Sequence, residues 1–162
     1  MTLPIVRFAV AALLIGLAGA VRADVPPDLA HALAFRELAP VRAWLDERVG
    51  TPESDSASAW RARVALARID APETAADLIG AARAEHPDDP GLLLQQAAIE
   101  LDAMDADGGR FARMREARAI GKTLDRVLEL DPDHPEGLTA AISFHRDVPR
   151  IAGGRERSGP AR

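Results

Sequence analysis

Asp102, Asp105 and Asp107 stand just ahead of Gly108-Gly109, and closely spaced carboxylates around a glycine turn are the raw material of a calcium loop. Counted from Asp105, the twelfth position is Glu116, where an EF-hand places its bidentate ligand. The fifth and sixth positions are Gly109 and Arg110, where a ligand oxygen and the obligatory glycine belong. The stretch therefore reads as a solvated acidic loop between helices. His31, His86, His134 and His145 are widely spaced and no two stand at i, i+4, so only the fold could assemble a zinc site from them. His145-Arg146-Asp147 has the letters of a kinase catalytic triplet, without the glycine-rich loop or strand lysine that such a triplet serves. No serine lies in a Gly-x-Ser-x-Gly turn. The absence of cysteine excludes disulfides, thiolate metal sites and an acylated-cysteine anchor. These residues predict no catalysis, no cofactor and no metal.

The elements that must position these residues are helices. The chain has 162 residues, 48% apolar and 28% charged, which suits one soluble domain. Aromatics are few and tyrosine is absent, so the core must come from Ala, Leu, Val and Ile, and Ala-rich segments favour helix. A net charge of −5 argues against nucleic acid as a partner. Arg7 is the only charged side chain before the apolar run 8–21, whose fourteen residues fall short of the roughly twenty that span a bilayer. Small residues follow, so the pattern predicts a signal peptide over 1–23, cut after Ala23 or, failing that, Ala20. Export to a periplasm, or secretion, follows from it, with no stable membrane span once the leader is gone.

Beyond the leader, residues 28–49 predict a helix kinked at Pro40, with Gly50 as its C-cap, and 51–58 a loop. Further helices are predicted over 56–69, 72–85, 90–104, 109–130 and 135–146. Pro87-Asp-Asp-Pro90 and Pro132-Asp-His-Pro135 are near-copies of one punctuation mark. Each ends one helix and starts the next, with an Asp between the prolines to supply a cap. Ala75, Leu78, Ile79 and Ala82 share one face. Leu93, Ala97, Ile99 and Leu101 occupy much of the girth of 90–104, which predicts burial on more than one side. Met114, Ala117, Gly121, Leu124 and Leu128 line the apolar face of 109–130, flanked by Ile120 and Val127. Gly121 on that face predicts a close neighbour. Arg115, Arg118, Lys122 and Arg126 form the opposite, solvated stripe. No stretch alternates long enough to be a strand.

The unit from Ser56 to Asp89 is 34 residues long, the length of a tetratricopeptide repeat. Residues 127–136, Val-Leu-Glu-Leu-Asp-Pro-Asp-His-Pro-Glu, resemble the junction between two such repeats. Aligned on the two marks, the signature positions fall on Ala75, Ile79 and Ala82, and on Ile120, Leu124 and Val127. The first helices lack the usual Leu-Gly pair, and the middle unit carries about eleven extra residues. The segment 144–154 is similar to one found in exported bacterial tetratricopeptide proteins, where a further helix follows, so the resemblance implies a chain truncated at its C-terminus.

The resemblance implies an all-α fold, a right-handed α-α superhelix of stacked helical hairpins over 24–146, with an irregular tail over 147–162. It implies a non-catalytic scaffold for a protein or peptide partner. First helices of such repeats line the concave surface, which makes Leu94, Ala98 and Asp102, one ridge at i, i+4, i+8, candidate binding residues, with ordinary core or helix surface the competing assignment. On 135–146, Leu138 and Ile142 are expected inside. Phe144, roughly opposite, is then exposed, covered by the tail, or buried by a partner, and self-association through this helix follows. A small exported enzyme or metal-binding protein built on Asp133, His134 and the Asp-Gly loop is the competing function, and a fragment without independent function is a third.

Overall fold

The computed structural model describes residues 32, 33, 35–104 and 109–151, and all regular structure among them is helical. The leader over 1–23, the Asp105–Gly108 part of the acidic loop and residues 152–162 of the tail lie outside the described residues. The helices are α1 (Leu38–Asp46), α2 (Ala57–Asp70), α3 (Pro72–Glu85), α4 (Pro90–Ala103), α5 (Arg110–Leu130) and α6 (Pro135–Ile151), with a short 3-10 turn, Pro52–Asp55, before α2. No helix among the described residues is long and apolar enough to cross a membrane.

The predicted kink at Pro40 is a full break placed earlier. The chain turns at Phe35–Glu37, where Arg36 takes φ 58°, and Pro40 falls in the first turn of α1. A proline ring collides with the carbonyl four residues before it, here that of Arg36, so the helix starts anew just upstream of the proline. Gly50 closes the turns after α1 with φ 79°, a conformation glycine adopts without strain.

The two proline marks act as predicted on the backbone. Helices end at Glu85 and Leu130, and new ones begin at Pro90 and Pro135. Asp89 caps α4, its Oδ1 accepting the Leu92 N–H at 2.8 Å. In the second mark the residue at that position is His134, and its Nδ1 takes over the cap, accepting the Gly137 N–H at 3.3 Å. Helix α6 runs on past Arg146 to Ile151, because Pro149 sits in its last turn, where little of the helix is left to disrupt.

Each helix packs on its sequence neighbours: α1 on α2, α2 on α3, α3 on α4, α4 on α5 and α5 on α6, with α2 also against α4. As predicted, α4 is buried nearly all round, at Leu92, Leu93, Leu94, Gln95, Ala97, Ala98 and Leu101. One core cluster joins Leu93, Leu94, Ala98 and Leu101 of α4 to Ala117, Ile120, Leu124 and Val127 of α5 and to Ala140, Ala141 and Phe144 of α6.

The rotation of α6 differs from the expected one. Phe144 is 4% exposed, whereas Leu138 and Ile142, expected inside, are 40% and 67% exposed. Close approach sets this rotation. The Phe144 ring lies 3.4 Å from the point where a Cβ on Gly121 would stand. A Cβ on Gly137 would come 2.8 Å from Val127 Cγ1, so only glycine lets the first turn of α6 lie on α5 there. Gly137, Ala140, Ala141 and Phe144 follow the spacing i, i+3, i+4, i+7, a stripe of small residues ending in one large ring. Gly121 does have the predicted close neighbour.

Candidate functional site

Phe144 is therefore core, buried by this chain's own α5, and not a surface for a partner. Leu94 and Ala98 are also core, at 1% and 2% exposure, because that ridge of α4 belongs to the core cluster shared with α5 and α6 and does not line a groove. Asp102 alone of the ridge reaches solvent, and it pairs with Arg68 of α2 at 2.8 Å, tying the two helices together. The four candidates are not brought together at any surface.

Of the residues weighed for metal chemistry, His31, Asp105 and Asp107 lie outside the described residues, and the described ones disperse. His86 Nε2 lies 2.7 Å from the Asp55 carbonyl oxygen, linking the end of α3 to the turn before α2. His134 is buried in its capping role, with Glu136 Oε2 3.2 Å from the same Nδ1. His145 is exposed, 4.0 Å from Asp125. Among the described residues no group of three metal-ligating side chains forms. The basic stripe of α5 is solvent-facing but not of one sign. Arg126 bonds Asp88 and Glu129, both at 3.0 Å, and these carboxylates, Asp88 first, raise its pKa above the ordinary arginine value.

A different place gathers polar groups that lack partners. Between α3 and α4 lies a groove of about 460 Å³, open to solvent, lined by Ala76, Ile79, Gly80 and Arg83 of α3 and by Gln96, Ile99 and Glu100 of α4. Its floor is apolar, with Ile79 packed into the core cluster that joins α2, α3 and α4 and Ile99 partly buried beside it. Nε and Nη1 of Arg83 are buried there without a hydrogen-bond partner. Glu100 accepts from Gln96 Nε2 through Oε1 at 2.7 Å, and its Oε2 is buried and unpartnered. Arg83 is the one residue among those described with two such atoms. Buried polar groups in folded proteins are nearly always bonded, so an unsatisfied donor and an unsatisfied acceptor in one groove mark it out. An ideal Cβ on Gly80 would meet nothing within 4 Å, so the groove stays open above the helix backbone.

Sequence reasoning passed over these residues because α3 was read for its buried face alone. A signal was present on the flank. Ala76, Gly80 and Arg83 repeat at i, i+4, i+7, two small residues and a long cation, which is how a helix edge keeps room beside a charged group. Neither a family model, nor a curated protein, nor a solved structure matches the chain.

Proposed function

We propose that this chain is a non-catalytic binding scaffold of the periplasm, a right-handed stack of tetratricopeptide-like hairpins that takes an extended segment of a protein partner into the groove between α3 and α4. The observation that carries the reading is that Arg83 and Glu100 line one groove with an apolar floor, each with buried atoms that bond nothing. Leaving such a group unmade costs about 1–3 kcal/mol, more when it is charged. An extended peptide offers carbonyls and N–H groups in alternation. Arg83 donates to a carbonyl, Glu100 accepts from an amide, and a peptide side chain lies on Ile79 and Ile99. The sequential packing of α2 to α6 and the burial of Ala75, Ile79, Ala82, Ile120, Leu124 and Val127 support the repeat assignment. Export rests on the leader pattern of 1–23.

Two variants test the groove. Gly80→Leu fills it from the helix side and exchanges a poor helix former for a good one, so stability is expected to rise by about 0.5–1 kcal/mol. Arg83→Met removes a buried cation whose Nε and Nη1 lack partners, so melting is expected not to fall. Peptides selected from a displayed random library on the wild-type chain should lose about tenfold or more in affinity for either variant. Stable variants that bind the selected peptides as well as wild type would overturn the assignment of the groove.

A further inference from the structure

We propose that the outer face of α6 joins two copies of this chain through an antiparallel, two-fold contact of one α6 with the other. This surface is separate from the groove between α3 and α4 and the inference does not rest on it. The exposed apolar residues Phe35, Val49 and Phe111 lie on separate segments, whereas Leu138 and Ile142 are one helical turn apart on the same side of α6. Helix α6 packs on α5 with its opposite side, and among the described residues no helix covers Leu138 and Ile142.

The charges around this pair indicate what covers it. Asp133 lies exposed in the turn that leads into α6, and Arg146 lies exposed toward the other end. Arg146 shares the face of Leu138 and Ile142 at 100° per residue, and its Nε contacts the neighbouring Asp147 at 3.3 Å. From the turn before α6 to the far end of the helix, the exposed order is thus acidic, apolar, basic. A surface of that order is complementary to itself when turned end for end, which is the requirement of an isologous contact. With the axis on the outer face, midway between Leu138 and Ile142, Leu138 of one copy meets Ile142 of the second, and Arg146 comes beside Asp133 of the second. A parallel arrangement would stack like charges and lose both pairings. The antiparallel arrangement also opposes the helix dipoles.

Analytical ultracentrifugation of the purified full chain over a range of concentrations tests this. The wild type is expected to dimerise and Ile142→Asp to be monomeric. Arg146→Asp and Asp133→Arg should each weaken the dimer by about tenfold, since the two-fold axis applies every change twice. The double reversal should restore most of the affinity. A wild-type monomer, single reversals without effect, or a double variant no better than the singles would each overturn the proposal. Both charged positions are on the surface, so loss of fold does not confuse the outcome. If residues 152–162 cover the face within one chain, the wild type is monomeric and the proposal fails.

Discussion

Truncating Phe144 to alanine is expected to cost about 3–5 kcal/mol, a large share of the 5–15 kcal/mol by which domains are stable. The ring is 4% exposed and sits over Gly121, where the backbone of α5 leaves room for it and alanine would leave a void. Ile142, two residues earlier and 67% exposed, is the control. Its change to alanine, measured at a concentration low enough to keep the chain monomeric, is expected to move stability by less than about 0.5 kcal/mol. Urea unfolding of both variants checks the pair. A loss for Ile142→Ala that matched the loss for Phe144→Ala would mean that α6 is rotated the other way.

The second large effect concerns Asp89. Its Oδ1 caps α4 and also lies 3.6 Å from Nε of Arg61, a guanidinium buried under α4. Arg61 is held in place from several sides: its Nε reaches the Ala57 carbonyl at 3.3 Å, and its own carbonyl accepts from buried Gln95 at 3.0 Å. Asp89→Ala removes a helix cap, worth about 1 kcal/mol, and takes the carboxylate away from a buried cation, for which about 3–5 kcal/mol is typical. Asp89→Asn keeps a capping oxygen and loses only the charge, so it should fall between alanine and wild type. Thermal melts of the three proteins at neutral pH give the order. A loss from Asp89→Ala no greater than a cap's would show that the ion pair contributes nothing.

The helices were legible because their signals are local. Prolines at 72, 90 and 135 stand at helix starts, Ser56 and Asp89 cap, and the apolar stripe of α5 follows one period throughout. The breadth of apolar residues on α4 announced burial on several sides, and the structure surrounds it with α2, α3 and α5. The rotation of α6 was not legible from hydrophobicity, because Gly137, Ala140 and Ala141 carry little of it. What fixes their side of the helix is how near α5 can come, a property of shape. The same reasoning explains the binding candidates. Leu94 and Ala98 were placed by the geometry of a repeat, while the packing of α4 draws both into the core cluster it shares with side chains of α5 and α6. Arg83 and Glu100 could not be found from spacing alone. An unpartnered atom is defined by what surrounds it, and those surroundings come from two helices.

A partner segment is proposed to lie between α3 and α4. Amide chemical-shift mapping of the isotope-labelled chain, titrated with a peptide selected on it, tests this most directly. The largest changes are expected at Ala76, Gly80, Arg83, Gln96, Ile99 and Glu100, which line the groove. Changes gathered on α1 or on the outer face of α6, with those residues unmoved, would contradict it.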